Sequence, residues 1–240
     1  MKGVILAGGT GSRLSPLTKV TNKCLLPVGN TPMVYRMLDL FTGAGIHEVM
    51  LVTGPEHMGQ VISLLGSGAD NNCELTYKVQ DKANGIAAAL KLCRNFCGND
   101  RFAVVLGDNI FDDNATLSKQ LQEFGNSSDD FLLFGKVVPD PERFGVPVYS
   151  NGRVVDIVEK PKVPPSDQAI VGLYCYTQNV FDFIDSLKPS ARGEYEISDV
   201  NSWLVKNGVG KVIDVAGGWI DAGTHESYRK ANEMVWSKSR

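Results

Sequence analysis

The 240-residue chain is 43% hydrophobic and 21% charged, which excludes a disordered or collagenous polymer and allows one large core or two modest ones. Its 24 basic and 27 acidic side chains leave a net charge of −3, the wrong sign for nonspecific binding to nucleic acid or to an anionic membrane surface. No apolar run approaches the ~18 residues that span a bilayer, and Met1-Lys2-Gly3-Val4 turns glycine-rich too soon for a secretory signal, so a cytoplasmic protein is expected.

In chain order, Lys2 to Leu6 reads as a strand. Pro32 to Thr42 reads as a helix, with Val34, Met37, Leu38 and Phe41 at i, i+3, i+4 and i+7, Thr31 as N-cap and Pro32 at the first helical position. Glu48 to Thr53 is a strand, Pro55 to Leu65 a helix, Glu74 to Val79 a strand and Gly85 to Phe96 an alanine-rich helix. Phe102 to Gly107, Ala115 to Phe124 and Phe131 to Val138 continue as strand, helix, strand. This alternation predicts a largely parallel sheet covered on both faces.

Beyond Pro139 the rhythm changes. Val146 to Tyr149 and Arg153 to Val158 read as two strands joined by an Asn151-Gly152 turn, and Ala169 to Tyr176 as a third. Helices at Gln178 to Ser186 and Ile197 to Asn207, a strand at Lys211 to Val215 and an amphipathic helix from Thr224 complete the chain. The expected organisation is one α/β unit: a first half over 1–138, a second half with an inserted subdomain over 139–223 and a C-terminal helix over 224–240. Trp203 and Trp236 are expected to pack, and Trp219 to line a site.

The five cysteines (Cys24, Cys73, Cys93, Cys97 and Cys175) are odd in number and scattered, without a CxxC pair, so neither a disulfide framework nor a zinc ribbon is indicated. His47, His57 and His225 are isolated and have no nucleophile partner. Charge is informative in its placement. Residues 1–38 hold Lys2, Arg13, Lys19, Lys23 and Arg36 without one acid, and the rest of the chain is net −8. Such a cationic region suits a compact polyanion such as a nucleoside triphosphate, although chance clustering would give the same count.

Residues 7 to 30 form a connection of about two dozen residues, a length that is uncommon in compact domains and usually functional. It opens Ala7-Gly8-Gly9-Thr10-Gly11-Ser12-Arg13, where unhindered backbone amides can converge on phosphate oxygens while Arg13 and Lys23 supply charge. Neither a dinucleotide fingerprint nor a GK[ST] loop is present, and an ordinary tight loop would read the same. Asp108 follows a strand at the predicted carboxyl edge of the sheet, and Asp221 lies in Gly218-Trp219-Ile220-Asp221-Ala222-Gly223. Two lone carboxylates suit Mg²⁺ held mainly by substrate phosphates, though an aspartate at a strand end also serves as a turn or cap residue. Glu159-Lys160-Pro161 offers an acceptor for sugar hydroxyls and a point charge for a sugar phosphate, or simply a surface ion pair. Gln80 can read a pyrimidine edge, and Gly85 can let a base approach the backbone.

Together, LAGGTGSRLSPLT from Leu6, LLPVGNTPMVYRMLD from Leu25, LGDNIF from Leu106, DPERFGV from Asp140, IVEKP from Ile157, RGEYEISDVN from Arg192 and GGWIDAGTHES from Gly217 resemble the sugar nucleotidyltransferases, in particular members acting on glucose 1-phosphate. The resemblance implies a Rossmann-like α/β core with a mixed, mainly parallel sheet and a sugar-binding subdomain. It implies transfer of a thymidylyl group from dTTP to α-D-glucose 1-phosphate with release of pyrophosphate, aided by Mg²⁺. It implies that Gly8, Gly9, Gly11, Arg13 and Lys23 bind the triphosphate and that Gln80 and Gly85 recognise the base. Asp108 and Asp221 then hold the metal, and Asn109, Gly145, Glu159, Lys160 and Val171 hold the sugar phosphate. Arg13, Lys23, Asp108 and Lys160 carry catalysis. A phosphate oxygen is already ionised at neutral pH, so no general base is required.

The chain departs from the family pattern in two places. Cys24 stands where many thymidylyltransferases have Gln directly after the motif lysine. The sequence also ends at Arg240, whereas reference members continue in a helical segment with a regulatory nucleotide site that helps to build a tetramer; the expectation is a short form without it, with a homo-oligomer left open. Uridylyl transfer, another hexose 1-phosphate, a glycosyltransferase and a noncatalytic sugar-nucleotide sensor are the alternatives. Asp108-Asn109-Ile110 is not the DxD triplet typical of glycosyltransferases.

Overall fold

The structure, a computed structural model, describes residues 1–238. The last two residues of the expected 224–240 helix lie outside the described residues. The chain begins with β1 (Lys2–Ala7), whose alternate side chains are buried on opposite faces: Ile5 and Ala7 join one apolar cluster, and Val4 and Leu6 the other. A strand with no solvent face needs a helical layer on each side, as in parallel α/β sheets.

Residues 8–26 contain three short 3-10 turns, and then β2 (Pro27–Val28) and β3 (Thr31–Pro32) pair antiparallel. α1 (Met33–Gly43) therefore starts one residue later than its sequence pattern suggests. Pro32 is extended at ψ 141° and takes the N-cap position, and the Thr31 hydroxyl bonds Asn30 Oδ1 rather than capping the helix. β4 (Glu48–Thr53), α2 (Met58–Leu65), β5 (Glu74–Val79), α3 (Ile86–Lys91) and α4 (Arg94–Cys97) follow. The expected Gly85–Phe96 helix is broken because Leu92 and Cys93 bond three residues back, to Ala89 and Leu90, which tightens and ends the first segment. Then come β6 (Phe102–Leu106), β7 (Asn109–Phe111), α5 (Asn114–Gly125) and β8 (Phe131–Val137).

The second half supplies β9 (Gly145–Ser150), β10 (Arg153–Glu159), β11 (Gln168–Tyr176), α6 (Val180–Ser186), α7 (Ile197–Asn207), β12 (Gly210–Asp214), β13 (Trp219–Asp221) and α8 (His225–Lys238). Asn151 and Gly152 have φ of 50° and 74°, the two left-handed residues that a tight hairpin turn requires between β9 and β10.

β5, β4, β1 and β6 pair parallel in that order. β11 departs from the parallel expectation by running antiparallel to both β6 and β8, while β12 pairs parallel with β8. The start of β11 meets β9 at Ile170↔Gly145, its end meets β6 from Leu173 to Tyr176, and its ladder with β8 is interrupted between Ile170 and Tyr174. α1 and α5 cover one face, with Met33, Met37, Leu38, Leu117 and Leu121 buried. α3, α6 and α7 cover the other, with Ala87, Leu90, Phe181, Val200 and Leu204. All five cysteines are buried free thiols, and Trp203 stacks on Phe183. Trp236 is 52% exposed, contrary to the expectation that it packs, because its helix turns that side to solvent.

A small second sheet decides where the strand-end aspartates go. β7 and β13 pair antiparallel, with Asp221 opposite Asn109, and Ala222 N donates to Asp108 O at 2.9 Å. Asn109, 2% exposed, fixes this pairing to the main sheet: its Oδ1 accepts from Gly172 N at 2.9 Å and from Trp219 Nε1 at 2.7 Å. The close approach requires glycine at 172, where a Cβ would lie 2.6 Å from that oxygen. Asn109→Ala would strand two buried donors, at about 1–3 kcal/mol each, so the urea unfolding free energy is expected to fall by roughly 3 kcal/mol.

Candidate functional site

The carboxyl ends of β1, β4 and β6 lie level, with Leu6 in register with both Val52 and Leu106, so the segments that leave them converge on one edge. There a cavity of about 670 Å³ opens, within the range typical of ligand sites. Gly8, Gly9, Gly11, Arg13, Lys23, Gln80, Gly85, Asp108, Asn109, Gly145, Glu159, Lys160 and Asp221 all line it. Val171 does not. It is fully buried on the opposite face of β11, and its neighbours Ile170 and Gly172 face the cavity, as strand alternation dictates.

At one end stands Gln80, buried just past β5, with Nε2 donating to Asn84 Oδ1 at 3.3 Å. Gly8 packs directly on the Gln80 amide oxygen. Gly85 begins α3 at φ 112°, and a Cβ there would stand 2.6 Å from Tyr195 N, so both conformation and space exclude any side chain. The segment around Tyr195, from the second half of the chain, thus closes this end through backbone bonds from Tyr195 N to Asn84 O and from Ala87 N to Tyr195 O.

At the middle, Lys23 is ion-paired with Asp108, which is 5% exposed. Burial works against both charges, but their mutual attraction outweighs it, raising the lysine pKa and lowering that of the aspartate. Asp221 has the opposite fate. Burial and then the neighbouring Asp108 charge push its pKa up to about 6, despite Lys23 and Arg13 nearby. A Cβ on Gly223 would lie 2.8 Å from Asp221 Oδ1, 2.9 Å from an Arg13 guanidinium nitrogen and 3.4 Å from Asp108 Oδ2, so these three groups surround one point. Among the described residues no cluster of three or more His, Cys, Asp or Glu side chains is placed to hold a metal. Two converging carboxylates whose charges repel nevertheless fit a Mg²⁺ ion that draws its other ligands from phosphate and water.

At the far end, Glu159 is held from three sides. Ser198 donates to Oε2, and Oε1 lies 3.3 Å from Lys160 Nζ and 3.5 Å from Arg192. Arg192 also pairs with Glu194 at 2.7 Å and Glu196 at 3.2 Å. Lys160 adopts φ 43°, a left-handed conformation that costs a non-glycine residue about 1–3 kcal/mol, and its N–H donates to Phe144 O at 2.9 Å. Gly145 leaves room for the Ser198 hydroxyl. Trp219 lines the cavity as expected, and so do Arg143, Arg192, Glu196 and Ser198, which the residue-by-residue reading of the sequence did not single out. They sit inside the DPERFGV and RGEYEISDVN motifs, whose only signal was the resemblance.

Cys24 turns away from the site. It is buried against Gly107, and its thiol is pushed up to about 12 by burial, so it is inert. Among the described residues no histidine lines the cavity; His47 and His225 bond the carbonyls of Asn72 and Ser15. No helix among the described residues is long and apolar enough to cross a membrane.

The raised Asp221 pKa has a thermodynamic sign. Because the folded-state pKa of about 6 exceeds the ordinary 3.8, the carboxyl favours folding at low pH, and that contribution is lost as pH rises through 6. In chelator at pH 7.5, Asp221→Asn is expected to be more stable than the parent by on the order of 2 kcal/mol. The advantage should vanish near pH 4, as thermal melts at the two pH values would show.

The family model for nucleotidyl transferases matches residues 2–238. A glucose-1-phosphate thymidylyltransferase of Neisseria meningitidis serogroup A is 42% identical over 238 residues, spanning 98% of this chain and 82% of that protein. The counterpart from Mycolicibacterium smegmatis is 40% identical with the same coverage. Among solved structures, a Bacillus anthracis protein assigned as a glucose-1-phosphate thymidylyltransferase, crystallised with sucrose, superposes with a TM-score of 0.91 at 52% identity, covering 97% of this chain and 94% of that one. A UDP-glucose pyrophosphorylase complexed with UDP-glucose superposes at 0.88 with 24% identity over 100% of this chain and 99% of its own, a likeness of fold.

Proposed function

The chain belongs to the nucleotidyl transferase family, and from that premise we propose that it transfers a thymidylyl group from dTTP to α-D-glucose 1-phosphate, giving dTDP-glucose and pyrophosphate. The observation that carries this reading is the meeting of Lys23, Arg13, Asp108 and Asp221 at the middle of a cavity with an amide at one end and a carboxylate held by cations at the other. The names of the similar proteins support the substrates.

In this reading the reaction brings an anionic sugar phosphate onto the α-phosphorus of a polyanion. At ~4 Å and an effective dielectric near 20, each like-charge contact costs about 4 kcal/mol, so neutralisation dominates the barrier. Lys23 and Arg13 bring two positive charges to the triphosphate, and the small residues Gly8, Gly9 and Gly11 let backbone amides reach its oxygens. Lys160 steadies the sugar phosphate, while Glu159 accepts from sugar hydroxyls in an orientation set by Ser198 and Arg192. Gln80 reads the base edge. Asp108 and Asp221 are the residues that would hold Mg²⁺, which when bound supplies charge neutralisation to the phosphates. The remaining contribution is positional: the two ends hold nucleophile and leaving group in line. No proton needs to be removed, which accords with a cavity without histidine.

An assay of pyrophosphate release with dTTP and glucose 1-phosphate tests the proposal, repeated with UTP and with chelator. Turnover should require a divalent cation. UTP should be used appreciably, because one methyl is worth roughly 1–3 kcal/mol, or up to ~200-fold; a larger preference would mean that more than the methyl is read. Asp108→Asn and Asp221→Asn should each lower kcat by about 10²-fold or more with the fold intact. No pyrophosphate release with any sugar phosphate would refute the proposal.

A further inference from the structure

Asn22 is 1% exposed, although it lies in the long connection after β1 and beside the cavity lysine. Its side chain is fully engaged. Oδ1 accepts from Cys24 N at 2.9 Å and so caps the 3-10 turn Lys23–Leu25, while Nδ2 donates to Ala7 O at 2.9 Å and to Thr53 Oγ1 at 3.1 Å. Ala7 and Thr53 are partners on the last rung of the β1–β4 ladder. Thr53, wholly buried, donates to the same Ala7 carbonyl at 3.2 Å, and its own carbonyl accepts from Gln80 N at 2.8 Å.

One buried amide therefore fixes the turn that starts with Lys23 to the ends of two central strands. The far end of that lysine is fixed separately, on Asp108 just beyond β6, the other neighbour of β1. We propose that Asn22, seated on Thr53, is a positioning residue that sets the direction in which Lys23 enters the cavity; its importance for turnover rests on the function proposed above. Without the amide, the capped turn loses its attachment to β1 and β4. A displacement of about 1 Å at a charge-neutralising group can cost on the order of 10²-fold in rate.

The 240-residue chain with Asn22→Ala, Thr53→Val, Thr53→Ser and Lys23→Ala, and with Asn22→Ala or Thr53→Val each combined with Lys23→Ala, tests this. Turnover is measured with whichever nucleotide and sugar phosphate the parent accepts, and Lys23 modification by an amine reagent is followed by mass spectrometry. Asn22→Ala and Thr53→Val should lower kcat by about 10²-fold, with KM for the sugar phosphate within about twofold. Thr53→Ser, which keeps the hydroxyl, should restore kcat to within about threefold. On the Lys23→Ala background Asn22→Ala should add less than about twofold, since residues acting through one group are not additive. Lys23 should react about tenfold faster in Asn22→Ala and Thr53→Val than in the parent, as its amine becomes free to leave Asp108, which holds it in the protonated form.

Additive losses together with unchanged Lys23 labelling would overturn the proposal and leave Asn22 a structural residue only. If Asn22→Ala does not fold, the Thr53→Val and Thr53→Ser pair decides by the same two readouts. A parent without turnover would refute the proposed function, while the labelling would still decide the role of Asn22.

Discussion

Asp108 and Asp221 stand close enough to resist each other's ionisation, and the chemistry of the cavity depends on what offsets that repulsion. Lys23 stabilises the Asp108 charge, so the cost falls on Asp221, whose pKa rises to about 6. Their adjacency comes from a two-stranded sheet of three-residue strands that pairs segments more than a hundred residues apart in sequence. Short strands hold little by themselves. Here the pairing is secured by Asn109, which accepts from both Trp219 and Gly172 and so joins the small sheet to the large one.

The two ends of the cavity are built differently, in keeping with the different ligands proposed for them. At the Gln80 end the walls are backbone and small side chains, with Gly8 and Gly85 pressed against their neighbours. Such a surface admits a flat group and offers it few long side chains. At the Glu159 end the walls are charged. Lys160, Arg192, Glu194 and Glu196 share ion pairs in which each cation touches at least one carboxylate. An arriving phosphate there would compete with carboxylates for these cations, a substitution of one anion for another.

Much of the fold is legible in the amino-acid sequence because the central strands are buried on both faces and read as short apolar runs bounded by turns. The Asn151-Gly152 hairpin is equally plain, since a turn with two left-handed residues restricts its sequence. Helix starts are harder to read. Pro32 fits a first helical position as well as it fits the end of a two-residue strand, and only the pairing with Pro27 distinguishes them. The strand-end aspartates stand out singly, but their adjacency does not, because three-residue strands show no periodicity and their partners are remote. Arg192, Glu196 and Ser198 lie in or just after a stretch without regular pattern, where residue-level reasoning has nothing to act on. Val171 was readable by strand alternation: if Ile170 and Gly172 face the cavity, the residue between them faces the core.

β11 belongs by sequence to the second half of the chain, yet it lies between β6 and β8 of the first, and Ile170 near its start also pairs with Gly145 of β9. Both walls of the cleft are therefore stitched into a single hydrogen-bonded fabric. A hinge between β6 and β8 would have to tear ladder bonds in the middle of the molecule, whereas β9 and β10 join β11 at the single pair Ile170↔Gly145. The parts of the cavity wall that lie outside these ladders are the connecting segments at the rim, among them the glycine-rich stretch after β1 and the residues around Tyr195.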